Sequence, residues 1–206
     1  MNIVSTYRKE LKDKILKVAM NEFFAHGIKN VKMDDIAKKL SISKRTLYEL
    51  FVDKETLLLA CMEQQELDFE NHMMNFSEEH NNDAIDIILE FHNMQMEDKC
   101  KVSPDFFSDF TKYKKVSEFL AKKRDERNSH AVEFFEKGID QGYFRKDINY
   151  SLALKICQAN IQNIMEKQLY KDYDMSEIFK SFIFVFVRGL CTTKGLKVLD
   201  KELLVP

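Results

Sequence analysis

Four polar side chains with the chemistry of nucleic-acid contacts occur close together near the N-terminus: Lys44, Arg45, Thr46 and Tyr48. Two cations, a hydroxyl and a phenol at the exposed start of a short helix are residue types that proteins use against base edges and phosphates. A solvated surface helix that happens to carry a Lys-Arg pair has the same composition. Chemistry alone leaves both interpretations open.

The surrounding pattern predicts short helices that would position these side chains. Apolar residues recur at helical spacing over 6–26, and Gly27 follows where a left-handed cap would end a helix. A second helix is predicted over 33–40 and a third over 44–51, with Ser43 as the N-cap of the third. The short turn between the last two helices predicts a helix-turn-helix.

The rest of the chain predicts longer helices. After a fourth helix capped by Asp53, further helices are predicted to end near 99, to begin at Pro104, and to cover 114–140, 148–170 and 175–195. In the last of these, the alternation of Phe182, Phe184 and Phe186 could also be a strand. A helix is favoured because a lone strand would have nothing to pair with.

The composition indicates an all-α fold and excludes several classes of protein. Five Gly and two Pro in 206 residues are too few for the turns of all-β or α/β folds. No apolar run approaches the ~20 residues that cross a bilayer, and no signal peptide is recognisable. Four dispersed cysteines fit reduced thiols. We therefore expect a soluble cytoplasmic protein with no membrane partner, no metal and no cofactor.

The charge is unevenly distributed along the chain. The net charge of −2 argues against DNA as a partner, but residues 1–55 hold 12 Lys and Arg against 8 Asp and Glu. Residues 56–206 hold 20 against 26. A basic N-terminal part on an acidic body is compatible with DNA binding, and the modest excess predicts moderate affinity for non-specific DNA.

Residues 14–58 resemble the DNA-binding domain of TetR-family transcriptional regulators. The matching landmarks are Ala19, Phe23, Phe24, Gly27, Ile36, Ala37, Ser43, Leu47, Tyr48, Phe51, Lys54 and Leu57. The resemblance implies an all-α fold of about nine helices. It also implies a three-helix helix-turn-helix domain over 1–53, followed by a larger helical effector-binding and dimerisation domain over 54–206.

The resemblance also implies a set of DNA-binding residues, with Lys44, Arg45 and Thr46 in the major groove and Tyr48 and Lys54 on phosphates. The full predicted set is Lys32, Ser43, Lys44, Arg45, Thr46, Tyr48 and Lys54. Two positions depart from the family pattern. Lys32 stands where Ser or Thr often caps the second helix, so that cap is expected to be lost. Ser41 stands where many members have Gly, which predicts either an ordinary backbone conformation or a strained one.

By the same resemblance, the protein would be a homodimer on a palindromic DNA operator, released by an unknown small-molecule effector. The predicted dimer interface is Phe179, Phe182, Phe186 and Leu190, although burial within one chain would explain these residues too. The predicted ligand pocket is Phe91, Met94, Phe107, Phe110, Phe134 and Met165, although Phe and Met at helical spacing are often core residues.

Two other classes of protein are alternatives to a regulator. A helical di-iron enzyme needs Glu-x-x-His pairs, and none of the five histidines has an acidic residue three positions before it. No glycine-rich phosphate-binding motif and no catalytic residue can be assigned, so an enzyme is not expected. A helical module that binds protein instead of DNA stays open, and the salt dependence of DNA affinity would distinguish it.

Overall fold

A computed structural model of the chain describes residues 3–81, 83–99, 102–110 and 112–203, which form ten α-helices and one 3₁₀ helix. The α-helices are α1 (Ile3–His26), α2 (Met33–Lys39), α3 (Lys44–Leu50), α4 (Lys54–Glu79), α5 (Ala84–Lys99), α6 (Pro104–Phe110), α7 (Lys114–Asp140), α8 (Tyr150–Glu166), α9 (Met175–Leu190) and α10 (Thr193–Leu203). The 3₁₀ helix is Leu169–Lys171. Within these ranges the only β-structure is an isolated bridge between Phe144 and Cys191. The predicted all-α fold is confirmed, with one α-helix more than expected.

No described helix is both long and apolar enough to cross a membrane. The chain divides into two compact units, one of Met1–Phe69 and Lys101–Lys122 and the other of Glu70–Cys100 and Lys123–Pro206. Each unit has a hydrophobic core of its own. The predicted boundary between a DNA-binding domain over 1–53 and a second domain over 54–206 stays a prediction.

The core of the first unit orients the helix-turn-helix. Leu47, on the inner side of α3, is fully buried, and Phe51 is buried just after the helix ends. Both pack in one cluster with Ile15 and Phe23 of α1 and with Leu57 of α4. Because α2 and α3 have only seven residues each, they are too short to be stable alone. Their conformation therefore depends on this shared core.

The turn between α2 and α3 contains a strained residue. Ser41 has a φ of 55°, in the left-handed region that favours glycine. The Ser41 N–H donates to the Lys38 carbonyl at 3.0 Å, and the Ile42 N–H donates to the Ala37 carbonyl at 3.0 Å. This pair of hydrogen bonds is the Schellman arrangement that usually has glycine at its left-handed position. Of the two conformations expected for Ser41, the structure has the strained one.

The prediction of one helix over 175–195 was wrong in its last turn, because α9 ends at Leu190 and α10 begins at Thr193. The Arg145 N–H donates to the Leu190 carbonyl, and the Thr192 N–H donates to the Tyr143 carbonyl. A Cβ atom at Gly195 would lie 2.4 Å from that same Tyr143 oxygen. Gly195 is therefore needed for close packing inside α10, not for ending a helix.

The end of the preceding helix was also misplaced. Helix α8 ends at Glu166, and the chain continues through the left-handed Gln168 into the 3₁₀ helix that covers Tyr170. Tyr170 is buried, although it lies in the 3₁₀ helix and not in α8. The apolar pattern therefore predicted that Tyr170 is buried, but it did not predict that α8 ends before it.

We expect Ser41→Gly to stabilise the protein by up to about 1 kcal/mol, because glycine adopts a positive φ without the cost that a side chain adds. Urea unfolding of the full chain measures this difference. Ser129→Gly is the matched control, since Ser129 is an exposed residue in the middle of α7 and glycine there should cost about 0.5–1 kcal/mol. Equal losses of stability in the two variants would contradict the strain at Ser41.

Candidate nucleic-acid interface

The start of α3 is fixed by a side-chain cap. The Thr46 N–H donates to the Ser43 Oγ at 3.0 Å, and the Ser43 Oγ and Thr46 Oγ1 lie 2.8 Å apart. Ser43 is therefore the N-cap that the sequence predicts. Ser43 therefore shapes the first turn of α3, and its predicted contact with DNA stays a prediction.

The polar side chains of α3 lie opposite its buried face. Lys44, Arg45 and Tyr48 are exposed, and Thr46 is half-buried. The Arg45 Nε donates to the Glu49 Oε1 at 2.8 Å, and the Lys44 ammonium pairs with Asp34 of α2. The hydrogen bond with Asp34 raises the pKa of Lys44, and the hydrogen bond with Glu49 raises the pKa of Arg45. Both cations are therefore present and accessible at the start of α3.

Helix α2 begins without a side-chain cap. Lys32 is exposed at the N-cap position with an extended backbone, and its side chain accepts no hydrogen bond from the helix. The loss of this cap, expected from the replacement of Ser or Thr by Lys, is confirmed. The first turn of α2 also carries Asp34 and Asp35, so the predicted contact of Lys32 with phosphate stays a prediction.

Lys54 is engaged with the backbone of the connection between α1 and α2. Its ammonium donates to the carbonyls of Ile28 at 2.8 Å, Val31 at 2.9 Å and Lys29 at 3.3 Å. The pKa of Lys54 is lowered, because the effect of burial outweighs the charge of Asp109, which raises it. All three ammonium protons have acceptors in this arrangement, so a phosphate contact would replace one of them. The predicted phosphate role stays a prediction, and a structural role stands beside it.

Asp109 of α6 also binds the connection between α1 and α2. Its Oδ2 accepts from the Lys29 N–H at 2.7 Å, and its Oδ1 accepts from the Lys112 Nζ at 2.9 Å. Burial by itself raises the pKa of Asp109, but these hydrogen bonds and the charges of both lysines outweigh it, and the pKa is lowered. Gly27 has a φ of 78°, as expected of a left-handed cap, and a Cβ there would lie 2.7 Å from Asp105. The connection is therefore fixed by α4 and by α6.

Sequence reasoning missed several of these interactions. The pair of Arg45 with Glu49 could have been found, since their spacing of four is the helical spacing of an ion pair. Asp109 could not, because it is 80 residues away from its partner Lys29 in the chain. Asp34 lies in the first turn of α2, and its pairing with Lys44 depends on how α2 and α3 cross.

The predicted pocket residues are distributed over both cores. Phe107 and Phe110 pack against the core of the first unit, and Phe134 packs against the core of the second. Phe91, Met94 and Met165 are half-buried in the second unit. Of the six, Phe134 lines a cavity of about 290 Å³ within the second unit, together with Ser77, Ala84, Ile87, His130, Glu133 and Lys137.

The predicted interface residues are mostly turned toward the second core. Leu190 is buried there and Phe186 packs against it, while Phe179 is half-buried. The Phe182 side chain lies outside the described residues. On the other stripe of α9, Val185 is 72 % exposed and Gly189 is exposed, with open space where a Cβ would be.

Comparison with known proteins agrees with this geometry. Residues 15–61 match the family model of bacterial regulatory proteins of the tetR family. A TetR-family transcriptional regulator from Agrobacterium tumefaciens has the same fold with a TM-score of 0.70 and 14 % identity, over 90 % of this chain and 100 % of that chain. No curated protein matches the sequence.

Two further solved structures share the fold. A protein assigned as a transcriptional regulator from Saccharomonospora viridis, in complex with choline, has a TM-score of 0.68 and 20 % identity, over 89 % of this chain and 99 % of that chain. The fatty acid degradation regulator FadR from Bacillus halodurans has a TM-score of 0.58 and 19 % identity, over 86 % and 98 %.

The buried inner face of α3, its capped start and its exposed cations are those of a helix-turn-helix DNA-binding protein. With the match over residues 15–61, this N-terminal part of the chain is similar to the DNA-binding domain of tetR-family transcriptional regulators. The solved structures show that the fold of the remaining helices is shared as well.

We expect Lys54→Met to lower the free energy of unfolding by about 1–3 kcal/mol, because two partly buried carbonyls and an exposed one lose their donor while the aliphatic stem is kept. Lys32→Met, which removes the same charge from an exposed side chain, should change it by less than about 0.5 kcal/mol. Chemical denaturation measures both. An unchanged stability of Lys54→Met, with weaker DNA binding, would instead favour a role confined to phosphate.

Proposed function

We propose that the chain is a homodimeric transcriptional repressor that binds a palindromic operator and is released by a small molecule. The observation that carries the proposal is the exposed start of α3, where Lys44, Arg45 and Tyr48 point away from a helix anchored by Leu47 and Phe51. These side chains would enter the major groove while the N-terminus of α2, which has no side-chain cap, approaches the phosphate backbone. The protein would act in the cytoplasm, where operator DNA is accessible.

Dimerisation follows from the small size of the reading element. A helix of seven residues reaches few base edges, so useful specificity requires two copies on two half-sites related by two-fold symmetry. Exposed apolar residues on α8 and α9 support an interface there, namely Leu152, Ile156 and Val185. The opposite faces of both helices already pack in the second core, through Leu154 and Val187 for example. The outer faces remain available to a second copy.

Effector release is supported by a cavity and by a fold that accommodates ligands. The cavity beside Phe134 combines an aromatic wall with His130, Glu133 and Lys137, which could orient a polar group. The Saccharomonospora viridis protein, which shares this fold, was solved in complex with choline. We propose that a small molecule in the second unit weakens operator binding, and a coupling free energy of roughly 1–3 kcal/mol would suffice.

The decisive experiment is selection of bound sites from genomic DNA, followed by affinity measurements at several salt concentrations. A repressor should select a sequence with two-fold symmetry, and its affinity should fall steeply as salt rises because bound cations are released from phosphates. Placing the selected site before a reporter gene then gives the sign of regulation. Binding without two-fold symmetry would contradict the dimeric arrangement, and higher expression in the presence of the protein would contradict repression.

We expect Arg45→Ala to relax the base preference at one operator position, with a loss of about 1–3 kcal/mol for the preferred base. Tyr48→Phe removes a hydroxyl expected on phosphate, so it should weaken binding to all sequences alike. Affinities for a set of single-base operator variants measure both effects. If Arg45→Ala discriminates between these variants as the natural protein does, Arg45 has no part in base readout.

We expect Val185→Glu to convert the dimer to a monomer, because a charge at the centre of an apolar interface would be desolvated on association. Val52→Glu is the matched control, since Val52 is 74 % exposed and Val185 is 72 % exposed. Both variants should fold, and size-exclusion chromatography with light scattering gives their masses. A dimeric Val185→Glu would place the interface elsewhere.

A further inference from the structure

The charged edge of the reading helix contains anions as well as cations. The Arg45 guanidinium pairs with Glu49 one turn later in α3, with 2.8 Å between Nε and Oε1. The Lys44 ammonium pairs with Asp34, which belongs to α2. Two positive and two negative charges therefore stand together where a basic surface would be expected for DNA.

Stability does not explain the pair within α3. Arg45 is 88 % exposed and Glu49 is 58 % exposed, so water screens their attraction. An exposed pair four residues apart in a helix contributes little to stability. The pair can open at little cost when Arg45 reaches for a base. Glu49, however, lies on the same exposed face of α3 and moves with it.

Geometry brings Glu49 into the groove together with Arg45. Both side chains lie on the exposed face of α3, one helical turn apart, and they touch each other. Any approach that places the Arg45 guanidinium against base edges also places a carboxylate within a few Å of neighbouring bases. Asp34 differs, since it lies on α2 and is not part of the reading helix.

A carboxylate meets only one favourable kind of group in the major groove. It accepts hydrogen bonds but cannot donate them, and phosphates and the N7, O6 and O4 atoms of bases repel it. The donors on offer are the N4 amino group of cytosine and the N6 amino group of adenine. The carboxylate would therefore be costly beside some base pairs and favourable beside others.

We propose that Glu49 is a specificity-determining residue, whose carboxylate accepts a hydrogen bond from the exocyclic amino group of a cytosine or adenine next to the base that Arg45 contacts. This role rests on the proposed function, because it requires α3 in the major groove. Glu49 has two effects there. It selects an amino group at one position, and it disfavours DNA in which that group is absent, including non-specific sites.

The experiment uses the full chain and a library of randomised duplex DNA, from which the natural protein and Glu49→Gln each select their preferred sequences. Replacing the selected cytosine or adenine by thymine or guanine, which present a carbonyl oxygen instead, should weaken the natural protein about tenfold. Glu49→Gln should lose most of this preference, because an amide both donates and accepts. Its affinity for unselected duplex should rise about threefold or more.

Glu63→Gln is the matched control, since it removes one exposed carboxylate from α4 without altering α3. It should select the same sequences as the natural protein, with unchanged ratios. If Glu49→Gln and Glu63→Gln behave alike, the effect is one of net charge and the assignment of Glu49 is overturned. Thermal unfolding of both variants verifies that each is folded.

The outcomes separate the two proposals. A natural protein that binds no duplex in a salt-dependent way would overturn the proposed function, and the role of Glu49 with it. A natural protein that selects a sequence, and a Glu49→Gln variant that selects the same sequence with the same discrimination, would overturn only the role of Glu49. A selected motif without cytosine or adenine beside the Arg45 position would do the same.

Discussion

The DNA-binding unit depends on the three hydrogen bonds that the Lys54 ammonium donates to the connection between α1 and α2. This connection sets where α2 begins, and α2 in turn sets the angle at which α3 is presented. A segment outside any helix has carbonyls that need donors, and here they are satisfied by one cation from the start of α4. The Asp109 carboxylate supplies the complementary acceptor for the Lys29 N–H. Two opposite charges therefore fix one loop, each through hydrogen bonds to its backbone.

Local signals made the N-terminal fold predictable from the sequence. The beginnings and ends of α2 and α3 depend on residues within a few positions, namely the Ser43 cap, the buried Leu47 and the left-handed Gly27. The break after Leu190 depends instead on hydrogen bonds to residues 143–145, more than 40 positions earlier in the chain. Helical periodicity continues across that break. Nothing local to residues 190–195 indicates where the backbone pairs with another segment.

The candidate site was predictable in its residue types but not in its interactions. The exposed positions of Lys44, Arg45 and Tyr48 follow from the burial of Leu47, so helical geometry alone places them outward. The sequence could not reveal what holds each charge, because the partners of Lys54 and Asp109 come together only when the unit folds. The pocket was the least predictable part. Phe and Met serve in cores and in cavities alike, and only Phe134 of the predicted set lines the described cavity of the second unit.

The length of α3 limits how much sequence information one molecule can read. Seven residues at about 1.5 Å each give a helix roughly 10 Å long, which spans about three base pairs at 3.4 Å per step. A given set of three base pairs recurs by chance about every 64 positions, and two such sets together about every 4,000. A unique binding site among the roughly 10⁶ or more competing sites of a genome has to be much rarer than that. For the proposed dimer, the stiffness and groove width of the DNA between the two contacts would add to this selectivity. Binding specificity would then depend on base pairs that no side chain contacts as well as on those that α3 contacts.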